Sequence, residues 1–269
     1  MKQTVENYQK IIIALAISFA GTVLHAQVID PLNGTGGISY TTYLVNDTSS
    51  GAGTGVSFTQ SGAGLQANYV GTGTAPEQAL SLASASSFST VFAVGDTLEL
   101  SSTVAASSTT EDFGLAISAN NPIAGSAGNY NTRTSFDWAS ISIRPSASSS
   151  VGDIRQNQSI SGSFGSGNIA GVNPTLPVNG LFISWIAPLQ FTLGYINSSG
   201  VLVPEDTITF SPGSTIGSEI GFYGDLRGTS TSLGDFSNLS IVPVPEPATW
   251  SLIGLGLVGV AGLLRRKSK

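Results

Sequence analysis

Short apolar patches separated by polar residues run along most of the chain, and none recurs with the spacing of a helical face. Residues 38–45 (ISYTTYLV) are rich in β-branched and aromatic side chains, and in residues 97–104 (TLELSSTV) Leu98 and Leu100 alternate with polar neighbours. Both patterns predict strands. Similar runs predict further strands at residues 65–70, 88–94, 113–118, 135–143, 181–186, 191–196, 207–210, 219–223 and 236–242.

Turn residues separate these runs, because Gly, Pro, Asn, Asp and Ser cluster at residues 95–96, 120–122, 197–200, 211–213 and 227–228. Residues 146–151 and 162–171 are rich in Ser and Gly and are predicted to be loops, since they bury too little apolar surface to offset the entropy of ordering. No helical pattern lies between the predicted strands, as a βαβ fold would need. The sequence therefore predicts an all-β fold, one antiparallel β-sandwich resembling a jelly roll, over residues 27–242.

The first 26 residues have the pattern of a secretory signal peptide, with Lys2 and Lys10 before and beside an apolar stretch at residues 11–23. Ala26 supplies a small residue at the predicted cleavage site, so the mature chain would begin at Gln27. This segment predicts a helical signal peptide at residues 1–26 and export through the Sec translocon. An uncleaved membrane anchor is the alternative.

A proline-rich linker at residues 243–249 contains Val244, Pro245, Glu246 and Pro247. Proline fixes φ and restrains the residue before it, so we expect an extended segment with little internal hydrogen bonding. Such a segment fits into an enzyme cleft.

The apolar run at residues 250–264 follows the linker and predicts a transmembrane helix. At about 1.5 Å per residue it reaches about 22 Å, which is short of the roughly 30 Å hydrocarbon layer. The tail at residues 265–269 contains Arg265, Arg266 and Lys267, whose charges would hold this end in the cytoplasm and leave everything upstream outside.

In this order, the V-P-E-P-A-T stretch, the short Gly-rich apolar helix and the basic terminus resemble the PEP-CTERM sorting tail of exported proteins from bacteria that have an outer membrane and make exopolysaccharide. The resemblance implies transient anchoring in the inner membrane. It also implies recognition by an exosortase, a membrane transpeptidase that cuts near the triplet and passes the protein to the cell surface or extracellular matrix. An ordinary membrane anchor behind a proline-rich spacer is the alternative.

Two further stretches, residues 93–104 and 221–247, resemble the early and last strands of concanavalin-like or laminin-G-like jelly rolls. The second stretch is the better match, since its final strand runs directly into the linker. The resemblance implies a sandwich fold and specifies no ligand.

Charge is distributed unevenly, because residues 27–242 contain no Lys, His, Cys or Met. Four arginines and fourteen carboxylates remain there, which gives a formal charge of −10. A phosphate backbone would be repelled, so nucleic acid is excluded as a partner. The missing residue types exclude Ser-His-acid and Cys-His catalysis, disulfides, and zinc sites built on His or Cys.

Carboxylates are the remaining candidates for chemistry, since glycoside hydrolysis needs only two of them facing one cleft. Glu111 and Asp112 are adjacent, as are Glu205 and Asp206, so on a strand each pair points to opposite faces. We therefore expect solvated loop charges, no catalytic residue and no cofactor. Asp225, Asp235 and Asn238 are oxygen ligands that would suit calcium, but without EF-hand spacing we predict no metal site.

Aromatic side chains are the other candidates, because sugars stack on Trp and Tyr rings. The candidates are Trp138, Trp185, Tyr130 and Tyr223. Trp138 and Trp185 lie in strand-like runs, so core packing is the favoured interpretation for them.

These observations predict a non-enzymatic exported protein of the cell surface or exopolysaccharide matrix, with a structural or glycan-associated role. A calcium-assisted carbohydrate-binding module is the first alternative. A polysaccharide-cleaving enzyme is the second, and two carboxylates converging in a cleft with a raised pKa would favour it.

Overall fold

The computed structural model describes residues 26–47, 56–62, 64–69, 76–104, 111–119, 136–144, 153–169, 174–214, 219–227 and 233–243. The strands in this part of the chain are β1 Gln27–Asp30, β2 Thr41–Asp47, β3 Val56–Ser61, β4 Gly64–Tyr69, β5 Pro76–Ser84, β6 Thr97–Val104, β7 Asp112–Ala119, β8 Asp137–Arg144, β9 Asp153–Ile160, β10 Ser163–Asn168, β11 Val178–Ala187, β12 Gln190–Ile196, β13 Leu202–Thr209, β14 Glu219–Arg227 and β15 Leu233–Val242. A 3₁₀ turn at Ala85–Ser87 follows β5.

The strands form two antiparallel sheets. Sheet A has the order β13-β12-β11-β6-β15-β4-β3, and β1 also pairs with β15. Sheet B has the order β10-β9-β8-β7-β14-β5-β2. Neighbours in each sheet are often far apart in sequence, and together the sheets make the predicted all-β antiparallel sandwich.

The hydrophobic core lies between the sheets. Alternate residues of β6, such as Leu98 and Leu100, meet inward residues of sheet B such as Leu115. Aromatic rings join the layers, since the Phe113 ring of sheet B lies 4.4 Å from the Phe236 ring of sheet A. The chain has no cysteine, so this core stabilises the fold without disulfides.

Sheet B also buries the central part of its other face. Inward positions of β7 and β14 belong to the core, whereas Ala116 and Tyr223 belong to a separate hydrophobic cluster built from sheet B residues. Side chains alternate along a strand, so this cluster marks the face of sheet B that is turned away from the core. We call it the second face.

Most predicted strands are confirmed, and β6 has the bounds that its alternation predicts. Two predictions were wrong. Residues 88–94 form bends and irregular chain, since Phe88 and Phe92 are buried without strand pairing. Residues 163–168 of the predicted glycine-rich loop form β10, because β9 pairs with them along their whole length.

The strands all belong to one compact unit, Gln27–Val242. In the described part of the chain, no helix has the length and hydropathy needed to cross a membrane. The predicted signal peptide, apart from Ala26, and the predicted membrane helix and basic tail lie outside the described residues, as do residues 146–151.

Candidate functional site

Polar and charged side chains are concentrated on the second face of sheet B. Strands β7, β8, β9 and β14 bring Asp112, Arg144, Arg155 and Asp225 to one end of it, because the register pairs Asp112 with Asp225 and places Arg155 opposite Ser142. Asp112 and Asp225 are 0% and 1% exposed. The cluster is therefore a set of buried charges, and the prediction that Asp112 is a solvated loop charge was wrong. Glu111 is likewise buried.

Both carboxylate oxygens of Asp112 are occupied. Arg144 Nη2 donates to Oδ1 at 2.8 Å, and Arg155 Nε lies 3.4 Å from Oδ2. The Ser142 hydroxyl also donates to Oδ2, at 3.2 Å. This arrangement compensates the buried charge of Asp112 with two guanidinium groups.

A second carboxylate lies beside Asp112. Asp225 faces it across the β7–β14 pair, and opposed Cβ atoms in such pairs lie about 4.5–5.5 Å apart. Burial and the Asp225 charge raise the pKa of Asp112 to about 6, although Arg155 and Arg144 act in the opposite direction. Gln78 Nε2 donates to Asp225 Oδ2 at 3.2 Å.

Several other buried polar atoms on this face lack a hydrogen-bond partner in the structure. Among the described residues they are the Tyr223 hydroxyl, both side-chain polar atoms of Asn157, Ser159 Oγ, Gln78 Oε1, Glu219 Oε2 and Arg144 Nε. All of these residues occupy second-face positions of β5, β8, β9 and β14. Buried polar groups are normally satisfied, so this concentration points to a partner from outside the domain.

Aromatic rings lie among these polar atoms. The Trp138 and Tyr223 rings are stacked with centroids 6.0 Å apart, and the Phe164 ring lies 6.1 Å from Trp138. Trp138 and Tyr223 are both 0% exposed. Core packing is thus confirmed for Trp138, and Tyr223 is no open sugar-stacking surface in this structure.

Glu219 lies at the opposite end of β14 from Asp225. Burial raises its pKa to about 7. Because the two carboxylates are six residues apart on one strand, they are about 20 Å apart at about 3.3 Å per residue. That distance exceeds the about 5–10 Å between the two carboxylates of a glycosidase.

The other candidates do not converge. Asp225 lies in sheet B, whereas Asp235 and Asn238 lie on β15 of sheet A, so the proposed calcium ligands are separated. Within the described residues no three acidic or imidazole groups are close enough to hold a metal ion. Glu205 and Asp206 are adjacent and partly buried on β13, the edge strand of sheet A.

Trp185 packs against the rings of Phe92 and Phe191, and its Nε1 donates to the Ala187 carbonyl at 2.9 Å. It therefore has a packing role. Tyr130 and the sorting residues Val244 to Pro247 lie outside the described residues.

The sequence reasoning missed Arg155, Asn157 and Ser159. They alternate along β9 (DIRQNQSI), in which only Ile154 and Ile160 are apolar. The alternation of these three polar residues was visible in the sequence. The pairing of β9 with strands on both sides, which buries them, was not.

Comparison with known families identifies the signal that accompanies this sandwich. Residues 243–267 match the model of the PEP-CTERM protein-sorting motif. The chain therefore carries this signal, which implies export, transit through a membrane-anchored stage and processing by an exosortase. No curated protein matches the chain in sequence.

Solved structures that match this chain over most of its length do so at low identity and low TM-score. One is a glycoside hydrolase family protein from Mycobacterium thermorestibile, with 13% identity over 81% of this chain and 97% of that one, at a TM-score of 0.38. Another is the CBM2 module of the evolved Dit of Lactobacillus casei BL23 phage J-1, with 14% identity over 76% and 94% of the chains and a TM-score of 0.35. A third is a β-porphyranase from Bacteroides plebeius, with 11% identity over 81% and 91% and a TM-score of 0.34. Such values transfer no activity to this chain.

Proposed function

We propose that this protein is a non-enzymatic component of the cell surface or exopolysaccharide matrix, and that the second face of its sheet B binds a glycan. The sorting motif supports delivery to the surface. The observation that carries the binding proposal is the concentration of unpartnered buried polar atoms on that face.

A glycan supplies the kind of partner that these atoms lack. The hydroxyl of Tyr223 and the amide of Asn157 can each donate and accept, and sugar hydroxyls do the same. The Trp138 and Phe164 rings add apolar surface beside them. The two arginines balance Asp112 and Asp225, so the cluster favours a neutral glycan over a polyanion. Since these side chains are buried, binding requires that the face first opens.

The same geometry supports a role without catalysis. Asp112 and Asp225 are neighbouring carboxylates and the pKa of Asp112 is raised, which is the feature that would favour a polysaccharide-cleaving enzyme. However, a nucleophile or general acid needs an oxygen free to reach the substrate. Both oxygens of Asp112 are engaged by arginines, and Glu219 is too distant to be its partner.

Tyr223→Phe tests the binding proposal. The variant removes a buried hydroxyl that has no partner in the described structure, so we expect unfolding stability to stay the same or rise. Binding to the organism's own exopolysaccharide should weaken about 3- to 10-fold, which corresponds to one hydrogen bond of about 0.5–1.5 kcal/mol. Thermal unfolding and isothermal titration with the purified polysaccharide measure the two quantities.

Tyr195→Phe on β12 is the matched control, because it removes a tyrosine hydroxyl from sheet A. We expect it to leave binding unchanged. Destabilisation by Tyr223→Phe with unaltered binding would mean that the hydroxyl serves the fold, and the proposal would be wrong.

A further inference from the structure

A separate pocket opens on the core side of sheet B. It has a volume of about 270 Å³ and lies where the edge strands of the two sheets approach each other. Thr42, Ser81 and Phe222 come from sheet B, and Phe58, Gln60 and Leu65 come from sheet A. Ser81 and Phe222 point inward, so sheet B itself separates this pocket from the second face.

The pocket is lined by both aromatic rings and polar side chains. The rings of Tyr40 and Phe58 provide apolar surface, and the Tyr40 ring packs on the buried Phe222 ring, with centroids 5.0 Å apart. Thr42 lines the pocket from a half-buried position on β2, and Ser81, its partner on β5, lies buried beside it. A sugar ring presents apolar C–H faces and polar edges, and it matches this lining.

Two of the lining side chains are held in place by a buried carboxylate. Asp30, which is 0% exposed, accepts from Tyr40 OH at 2.7 Å, from Gln60 Nε2 at 3.0 Å and from the Leu32 backbone N–H at 2.9 Å. A Cβ at Gly36 would come within 2.5 Å of Asp30 Oδ1, so the chain passes close beside the carboxylate. Tyr40 and Gln60 are thus positioned before any ligand arrives, which lowers the entropic cost of binding.

Charge and size narrow the class of ligand. No cationic side chain is among the described lining residues, and the Asp30 carboxylate lies directly behind Tyr40 and Gln60. An anion would be repelled there. The volume lies just below the roughly 300–1,000 Å³ of pockets that enclose drug-sized ligands, so it suits one ring rather than a chain.

We propose that this pocket binds a single uncharged pyranose ring, as a second site independent of the second face. The rings of Tyr40 and Phe58 would pack on it, and Thr42 and Gln60 would bond its hydroxyls. With both sites occupied, one domain would contact glycan on the two sides of sheet B.

Thr42→Phe tests the pocket, because the larger ring fills it from an accessible strand position. The full chain, kept in a detergent without a sugar head group, is probed by saturation-transfer NMR with the methyl pyranosides of glucose, galactose, mannose and rhamnose. We expect at least one of them to bind the wild type, and Thr42→Phe to weaken its binding at least about tenfold. Glucuronic acid should bind less well than methyl glucoside.

Thr41→Phe is the matched control, since Thr41 is the exposed neighbour on the same strand, and it should bind like the wild type. Thr42→Val keeps the shape of the side chain and removes only the hydroxyl, so it provides a folded variant if Thr42→Phe misfolds. We expect Thr42→Val to bind the pyranoside about 3- to 10-fold more weakly than the wild type. Tyr223→Phe should leave this site unaffected. No saturation transfer from any of the four glycosides, or equal binding by the wild type and both Thr42 variants, would overturn the proposal.

Discussion

Buried polar side chains in this domain differ in whether the domain supplies their hydrogen-bond partners. Asp30 accepts from three donors, and so does Asp137. On the second face, by contrast, the Tyr223 hydroxyl and the Asn157 amide are buried without partners in the described structure. Each unsatisfied group costs about 1–3 kcal/mol, so folding alone does not account for these residues. Their concentration on one face is the reason to assign it a ligand.

Glu219 gives a prediction at the same scale. Burial raises its pKa to about 7, so the folded state keeps this proton between about pH 4.5 and 7 while the unfolded state loses it. Stability from this group is therefore complete below about pH 4.5, falls as pH rises through that window, and levels off above about pH 7. Glu219→Gln does not ionise, so its melting temperature should match the wild type at pH 4 and exceed it by a few degrees at pH 8.

Differential scanning fluorimetry across this pH range measures the effect. The difference between variant and wild type is the relevant quantity, because titration of Asp112 contributes to both. A variant that is less stable than the wild type at pH 8 would contradict the assigned cause.

At the scale of elements, one carboxylate joins the ends of the two sheets. Asp137, at the start of β8, accepts from the Ser161 backbone N–H at 2.9 Å and the Ser211 backbone N–H at 2.7 Å. Ser161 lies in the turn between β9 and β10, and Ser211 follows β13 of sheet A. Ser161 and Ser211 also contact each other, with their hydroxyl oxygens 2.7 Å apart. Asp137 therefore holds a sheet B turn against a sheet A turn.

Asp137→Asn should weaken this connection. Burial alone would raise the pKa of Asp137, but its hydrogen bonds from Ser211, Ser161 and Ser214 outweigh burial and lower it. The charged form thus contributes stability above about pH 4, and this contribution is lost as pH falls through the lowered folded pKa. At pH 7 we expect the variant to lose about 1–3 kcal/mol of unfolding free energy, as for other hydrogen bonds to charged groups.

Urea titration measures that loss, and hydrogen exchange should accelerate at residues 161–163 and 211–214. Asp206→Asn is a suitable control, since Asp206 accepts only from the backbone N–H of the next residue among its described contacts. Equal exchange in both turns of Asp137→Asn and the wild type would rule out the connection.

The sequence predicted best those strands in which apolar and polar residues alternate, because one face of such a strand is buried. β6 has Leu98 and Leu100 inward and polar residues between them. β9 and β10 escaped prediction because polar residues occupy both their faces, and only pairing makes them strands, β9 with β8 and β10 with β9. Phe88 and Phe92 suggested a strand, yet they are buried from an irregular segment. Apolar composition indicates burial but does not determine pairing.

The candidate site was less accessible to sequence reasoning. Asp112 and Asp225 are adjacent in space only because β7 pairs with β14 in one register. The apolar residues Ile220, Phe222 and Leu226 turn Asp225 away from the core, but they do not identify β7 as the partner strand. The absence of His, Lys and Cys from residues 27–242 excluded whole classes of chemistry, and this conclusion needed no structure.

At the scale of the whole molecule, the exported region and the sorting signal have opposite charge. Residues 27–242 have a formal charge of −10, whereas residues 265–269 contain four cations. Positive charge beside an apolar segment is typical of an end retained in the cytoplasm, and net charge far from zero favours solubility. This distribution of charge fits the proposal that the basic C-terminal end acts during membrane transit and that the acidic domain acts at the cell surface.

The Pro245-Glu246-Pro247 triplet should decide whether the protein leaves the membrane. Two prolines favour an extended conformation in the sequence, and they would stop a helix predicted at residues 250–264 from continuing upstream. Three alanines would instead favour continuation of the helix, which removes the extended peptide that a processing enzyme needs in its cleft. We therefore expect the triple alanine variant to be exported normally and to accumulate in the inner membrane with its tail intact. Cell fractionation with immunoblotting, and mass spectrometry of the terminal peptide, measure the location of the variant and the state of its tail.

Thr249→Ala is the control, because it keeps the triplet and should be released like the wild type. Release of the triple alanine variant at the wild-type level would show that the triplet is not the recognised element.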